Sequence, residues 1–371
     1  MKHLLIISHT GHYYDPQGRP CGWTPTVREI DFLATHYQTV THLAVLDTKH
    51  NAPKSTSPYA ANNVTFVGIP PFGGGGLINK LKIPVAMLIL WWKLRKLLPR
   101  ADVFQFRAPT SIGLFVIPYT RWFSKTPGWF KYAGNWEQPN MPWSYRIQKR
   151  WLTRQRKRPV TINGKWPHQP NHVHTFENPC LSDRELPKFR SMGSEKSADK
   201  PFTACFVGRM EDAKGVQRIV DALMQSGIEK GVDTMHFVGD GPKLKHYRNQ
   251  LLMSEVDVVF HGFLDRDATF DIYAKSHLLF LPSDSEGFPK VVAEAAAFGC
   301  VPMVSDVSSI GQYINDSNGY LFPLGELSFT EFLSDANLSP EVWRRKHQNA
   351  FELARSFTFE HYLKKLEGIL S

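Results

Sequence analysis

The sequence predicts an α/β fold of two doubly wound, parallel-sheet domains facing a cleft, and three observations predict it. At 371 residues the chain suits two domains of ordinary size. Short apolar runs of strand length alternate with helical runs, the pattern of a parallel sheet covered on both faces. The alternation also restarts after a polar, aperiodic stretch, which reads as a connection between units. The expected boundaries are a first domain over residues 1–190, a linker over 191–201, a second domain over 202–355 and a closing helical segment over 356–371.

In the first series, residues 4–8, 41–46, 64–69, 103–106, 129–133 and 173–176 read as strands, with helices over 26–37 and 85–98. The opening run Leu4 to Ile7 is too short for a signal peptide and reads as the first strand. Residues 83–92 are apolar, but they contain Pro84 and end at Lys93, Arg95 and Lys96. Ten residues fall well short of the ~20 that a spanning helix needs. Trp91 and Trp92 beside those cations suit a lipid interface, and they suit a packed core equally. The glycines from Gly73 to Gly76 read as a loop tip or a place where backbone nears a ligand. In the second series, 202–207, 234–238, 256–260, 278–281 and 301–304 read as strands. The segments 216–225, 244–253, 270–275, 289–298 and 310–314 read as helices, and 362–370 as a final amphipathic helix.

Charge is uneven. Lys and Arg total 44 against 34 Asp and Glu, a net of +10, but residues 1–190 carry +17 and the remainder −7. A basic half favours an anionic lipid surface or a phosphorylated acceptor over a plain solvated coat. One basic run surrounds Trp151 with Arg146, Lys149, Arg150, Arg154, Arg156, Lys157 and Arg158. No nucleic-acid motif accompanies it, so nucleic acid is not expected as a partner. Cys21, Cys180, Cys205 and Cys300 are far apart and form no Cys-x-x-Cys, so neither zinc nor a disulfide framework is indicated. A reducing cytoplasm fits that usage, with a peripheral position on the inner face of the cell membrane as its extension.

The chemistry concentrates in the second series. Glu286 precedes a Gly287-Phe288-Pro289 turn, and Glu294 follows in an Ala-rich helical run that includes Lys290. Pro289 suits the first helical position, where a missing N–H costs nothing. A helix start, its loop amides and two carboxylates then face the same crevice. An anionic phosphate can sit at the helix end while the carboxylates accept from hydroxyls. Gly208 allows a tight exit from the 202–207 strand. Arg209 and Lys214 follow at its C-terminal edge, where open α/β sheets bind ligands, and two cations there can hold a diphosphate.

In this order, Gly208-Arg209 with Lys214-Gly215, Val238-Gly239-Asp240-Gly241-Pro242, His261-Gly262 and the Glu286/Glu294 pair resemble the retaining glycosyltransferases of family 4, of the GT-B fold. The closing run Ser356-Phe357-Thr358-Phe359-Glu360 with Tyr362 resembles that family's C-terminal helix, which crosses back onto the N-terminal domain. The likeness implies two Rossmann-like domains and a nucleoside-diphosphate sugar as donor. It implies Arg209 and Lys214 on the diphosphate, Glu286 on the sugar hydroxyls with the amides around Gly287, Phe288, Pro289 and Lys290, Glu294 on the ribose, and His261-Gly262 framing the base.

On the acceptor side, the family's Gly-rich loop has Gly22-Trp23-Thr24 in its place, and Arg107 and Asn135 follow strand ends. Where many members carry a His, this chain has Lys131 to Trp136 without one, so no general base is assigned. The resemblance implies a one-face reaction in which the departing phosphate takes the acceptor proton. No metal and no cofactor are expected, since no Asp-x-Asp pair stands in a suitable loop. The acceptor is expected to be a growing surface saccharide or a lipid-linked one. Two alternatives stay open: a GT-B sugar-nucleotide epimerase or hydrolase, and a non-enzymatic basic binding module.

Overall fold

A computed structural model of the chain describes residues 3–71, 83–198, 201–225 and 231–370. The glycines from Gly73 to Gly76 lie outside the described residues. The chain forms two compact units, Met1–Phe176 with Leu366–Ser371, and Glu177–Lys365.

In the first unit β1 (His3–Tyr14) is central. It pairs in parallel with β3 (Thr39–Leu46) on one side and with β6 (Val103–Ala108) on the other. The parallel ladder extends through β5 (Val64–Ile69) at one edge and through β7 (Gly128–Tyr132), β8 (Val160–Ile162) and β9 (Val173–Thr175) at the other. The far end of β1 outruns this ladder and folds back antiparallel on β2 (Pro20–Trp23), which pairs with β4 (Thr56–Pro58). β2, β4 and β8 were not expected, because runs this short show no period-2 alternation. Helix α1 (Thr24–Ala34) starts with a proline in its first turn.

Helix α2 (Ile83–Leu97) buries Ala86, Leu90 and Leu94, spaced four apart on one face, against the core of the first unit. Replacing a fully buried leucine such as Leu94 with Ala typically costs about 2–5 kcal/mol. Helix α3 (Gly113–Phe123) likewise buries Val116, Ile117 and Thr120. Helix α4 (Trp143–Arg154) holds much of the basic run. Arg158, at the end of that run, is not a surface charge. It is buried and donates to the carbonyls of Thr120, Ser124 and Thr126.

The second unit is a six-stranded, wholly parallel sheet, built from β10 (Phe202–Val207), β11 (Val232–Val238), β12 (Asp257–Gly262), β13 (Leu278–Leu281), β14 (Val301–Ser305) and β15 (Tyr320–Phe322). Their spatial order is β12-β11-β10-β13-β14-β15. This is the doubly wound order, which reverses direction between its first and fourth strands. The two Rossmann-like domains expected from the sequence are present, but the boundary moves. The units divide at Phe176/Glu177, and the expected linker over 191–201 does not separate them.

Instead, α5 (Leu186–Ser194) belongs to the second unit. It inserts Phe189 against Phe270 and Phe298, with ring centroids 5.0 and 4.6 Å away. Gly193 lies so close to the Phe298 carbonyl that an added Cβ would stand 2.2 Å from it. The segment reads as a linker in sequence because a small residue, chosen for close approach, carries no hydrophobic period. Helices α6 (Val216–Leu223), α7 (Leu244–Gln250), α8 (Arg266–Lys275) and α9 (Lys290–Ala297) follow β10 to β13 in turn, as the alternation predicts. The expected helix over 310–314 is a single 3₁₀ turn, Ile310–Gln312. Besides α3, α4 and α5, which the sequence reading did not contain, two more helices were missed: Phe329–Asp335, begun by a Ser328/Glu331 capping box, and Pro340–Arg355. The last helix, Phe359–Leu370, is divided between the units at Lys365/Leu366.

Candidate functional site

The reversal of strand order in the second unit falls between β10 and β13, and the loops leaving these two strands carry the predicted chemistry. After β10, the Gly208 N–H bonds the Val238 carbonyl at 3.0 Å, and the Met210 N–H bonds the Asp240 carbonyl at 3.0 Å. This holds the β10 exit against the β11 exit. Gly239 adopts φ +129°, and a Cβ there would sit 1.9 Å from the Gly208 carbonyl oxygen, so only glycine fits. The chain then makes a 3₁₀ turn, Asp212–Lys214, and Gly215 takes φ +75° before helix α6. A Cβ on Gly215 would stand 1.9 Å from the Pro282 carbonyl at the β13 exit.

The two exits are stitched together. The Asp284 N–H bonds the Ala213 carbonyl at 3.0 Å. Arg218, on α6, donates to the Pro282 carbonyl at 2.9 Å and to Asp284 Oδ1 at 2.7 Å. Lys214 Nζ thereby meets Glu286 Oε1 at 2.6 Å, with the lysine side chain 30% and the glutamate 10% exposed. A partly sheltered pair of this kind is held by geometry as well as charge.

Glu286 stands ahead of helix α9. Pro289 is the N-cap (φ −74°, ψ 123°) and Lys290 the first helical residue, one position later than the sequence suggested. The Gly287 carbonyl accepts from the buried Ser309 hydroxyl at 2.8 Å, which fixes the turn. Ser309 was missed. Its only sequence signal was a serine pair in the loop leaving a parallel strand, β14. Phe288 turns its ring into the core and stacks on Phe357 at 4.3 Å, so only its main chain is available at the helix start. Glu294 lies half-buried in the second turn of α9. Burial, with Glu294 next among the causes, raises the Tyr273 phenol well above its usual range.

Arg209 does not join the Lys214–Glu286 pair. Its side chain is 66% exposed and its Nε contacts Glu211 at 3.2 Å. His261 sits at a bulge in β12, where the register with β11 slips, and its Nε2 lies 3.2 Å from His236 Nδ1. Burial lowers the affinity of both imidazoles for a proton. His261 is therefore occupied by a strand neighbour, while the Gly262 carbonyl accepts from the Gly239 N–H at 2.7 Å. The Asp265-Arg266-Asp267 triplet opens helix α8, and Asp265 caps it through the Ala268 N–H at 2.9 Å. Among the described residues, no group of three or more His, Cys, Asp or Glu is placed to hold a metal ion.

The first unit has its own polar centre at the end of β1. Gly22 is not in a loop: it lies in β2, pressed against the ring of His12, where a Cβ would stand 2.3 Å from Nε2. His12 is fully buried, and burial pulls its pKa down to about 4. A neutral His12 that donates from Nδ1 to the Thr10 carbonyl at 3.0 Å must accept at Nε2, here from the Tyr59 hydroxyl at 2.7 Å. Tyr59 then accepts from His42 Nδ1 at 2.6 Å, and His42 Nε2 accepts from Ser8 at 2.8 Å. Burial first, and then the neighbouring His12 and Arg107, which oppose a further positive charge there, hold His42 well below its ordinary range.

Arg107 and Lys131 both grip Glu29, which is 0% exposed, at 2.7 and 2.6 Å. Among the described residues, Arg107 keeps one buried amine, Nη1, without a hydrogen-bond partner. Asn135 accepts from the Glu137 N–H at 3.0 Å. The sequence pointed to Arg107 but not to Glu29 or Tyr59, because nothing local marks a long-range ion pair.

The second unit contains the stretch that matches a known family. Residues 188–336 match the family model described as "Glycosyl transferases group 1". An alpha-galactosylglucosyldiacylglycerol synthase from Streptococcus pneumoniae is 25% identical over 200 residues, 53% of this chain. The chain spans about half the length of the curated relatives it matches first, 52% in that case. Among solved structures, Anabaena HepE in complex with UDP superposes with a TM-score of 0.68 at 15% identity, covering 100% of this chain and 99% of that one. Sucrose-phosphate synthase from Thermosynechococcus elongatus gives 0.71 at 16% identity, covering 100% and 98%. Residues 188–336 thus carry a group 1 glycosyltransferase domain, and the whole chain has the GT-B fold.

Proposed function

We propose that this protein is a retaining glycosyltransferase of family 4. It moves a hexose-type sugar from a nucleoside-diphosphate sugar to a saccharide or lipid-linked acceptor in surface polysaccharide or glycolipid synthesis. It works without a metal, peripherally on the inner face of the cell membrane. The observation that carries the reading is the meeting of Lys214 with Glu286, at the start of α9 and at the strand-order reversal of a parallel sheet. Related names point the same way: HepE is seen with UDP, and the pneumococcal relative is a glycolipid synthase.

In this reading the diphosphate takes the place beside Lys214, Arg209 and the first amides of α9. As the bond from anomeric carbon to phosphate oxygen breaks, the leaving diphosphate gains charge. Preorganised donors that meet this charge lower the barrier. Arg209, exposed and lightly tied, is free to swing onto the phosphate. Glu286 accepts from the sugar hydroxyls and Glu294 from the ribose. The acceptor hydroxyl attacks the anomeric carbon on the face the diphosphate leaves, and its proton passes to the departing phosphate oxygen. Configuration is retained, and no side-chain base is required.

UDP-, GDP- and other nucleotide sugars are to be screened first for protection against thermal unfolding, then for turnover with and without saccharide and lipid-linked acceptors. Sugar transfer dependent on acceptor is the expected result. Equal donor consumption without acceptor would assign a hydrolase or epimerase instead, and absence of nucleotide binding would leave a plain binding module.

A further inference from the structure

We propose that helices α2 and α3 of the first unit form one lipid-docking surface, and that its partner is an anionic bilayer. The inference rests on the transferase reading only for the choice of the membrane's inner face. On α2, the face opposite the buried Ala86, Leu90 and Leu94 shows Val85 and Leu88 at 61% exposure and Trp92 at 56%. Trp91 adds to it at 37%. These are not scattered residues: Val85, Leu88 and Trp92 follow helical spacing and lead directly to exposed Arg95 and Lys96.

Helix α3 packs against α2 and ends in Trp122 and Phe123, exposed by 66% and 75%, flanked by exposed Arg121 and Lys125. Burial raises the Tyr119 phenol on α3, with the Arg95 charge of α2 opposing it, and the Tyr119 ring lies 5.7 Å from that of Phe123.

Large aromatic side chains held in water on a folded unit mark an interaction surface. Their companions decide which one. Every charged side chain of α2 and α3 is basic, and Lys96 lies 3.6 Å over the Trp92 ring. Tryptophan with lysine and arginine is the composition that settles at the headgroup level of a bilayer. The excess of +17 over residues 1–190 adds attraction to anionic lipid. Among the described residues, no helix is long and apolar enough to cross a membrane, so the contact is a surface one. Lys93, which the sequence grouped with Arg95 and Lys96, takes no part: its amine is bound to the Gly68 carbonyl and serves the fold.

The test is flotation of the full chain with phosphatidylcholine vesicles, with and without phosphatidylglycerol, in the absence of any nucleotide sugar. Three double variants are compared. Trp122→Ser with Phe123→Ser removes aromatics of the surface. Arg95→Glu with Lys96→Glu reverses its charge. Leu252→Ser with Met253→Ser is the control, an equally exposed apolar pair (73% and 84%) on the second unit.

Wild type is expected to bind only the anionic vesicles, more weakly as salt shortens the ~10 Å screening length at about 0.1 M. The aromatic variant should lose about tenfold or more in partitioning. The charge variant should lose at least roughly fivefold for each site, since each reversal removes a cation and adds an anion, and flatten the salt dependence. The control should match wild type. No binding by wild type to anionic vesicles at low salt overturns the proposal, and so does an aromatic variant no weaker than the control. Nucleotide protection, measured on the same variants, stays at the wild-type value if the docking surface alone is wrong, and vanishes in wild type too if the transferase reading is wrong.

Discussion

Replacing Arg209 and Lys214 separately tests whether they act on a ligand or merely hold the fold, because the structure assigns them different costs. Arg209 is 66% exposed and contacts the partly exposed Glu211 at 3.2 Å. Surface pairs of this kind contribute about 0–1 kcal/mol, so Arg209→Ala should move the melting temperature by no more than about 4 °C. If Arg209 meets the leaving diphosphate, its removal costs about 2.7–4 kcal/mol in the transition state, a drop of roughly 10²–10³ in kcat/KM.

Lys214 differs, because Lys214→Met leaves Glu286, only 10% exposed, without its 2.6 Å partner. An unsatisfied sheltered carboxylate costs about 1–3 kcal/mol or more, so both stability and turnover fall. Adding Glu286→Gln to Lys214→Met removes the orphaned charge and should restore most of the stability while leaving turnover low. The assays are steady-state sugar transfer, titration with the nucleoside diphosphate, and thermal unfolding of all four variants, Glu286→Gln alone included. An Arg209→Ala enzyme that keeps kcat/KM within about threefold of wild type would refute a phosphate role for Arg209. A double variant that regains turnover along with stability would do the same for Lys214.

Gly239→Ala should destabilise the second unit by about 1–3 kcal/mol and abolish nucleotide binding, since φ +129° and the Gly208 carbonyl both refuse a Cβ; a wild-type melting curve with normal binding would contradict it. Acid should weaken both units. Burial pulls down His12 in the first unit and His347 in the second, where it is buried on the Pro340–Arg355 helix with Nδ1 2.7 Å from the Gly299 carbonyl. Both have folded pKa values of about 4 against an ordinary 6.5, so the unfolded chain binds their protons first. Stability is then intact above about pH 6.5 and is lost as pH falls toward about 4, by about 3 kcal/mol for each histidine. Urea unfolding across that window should show a slope that His12→Gln and His347→Gln each reduce, and unchanged slopes in both variants would dismiss the assignment. Sugar transfer should survive EDTA, because Arg209, Lys214 and the start of α9 supply the positive field; full loss on chelation, restored by a divalent cation, would overturn the metal-free scheme.

What the sequence determined by itself is local. The alternation of apolar runs with helical ones set two parallel α/β sheets, since period and chain reach act over a few residues. Gly208 was readable as a tight exit, and Glu286 with Pro289 as the lead into a helix, because each needs only its own neighbours. Only tertiary structure decided which of these groups meet. Lys214 and Glu286 are 72 residues apart, and the strand order that places β10 beside β13 brings them to 2.6 Å. The same long-range pairing gave His261 to His236, turned Phe288 onto Phe357, tied Arg107 to the buried Glu29 and set α3 against α2. Such contacts depend on which strands become neighbours and in what register, and no run of residues along the chain encodes that locally.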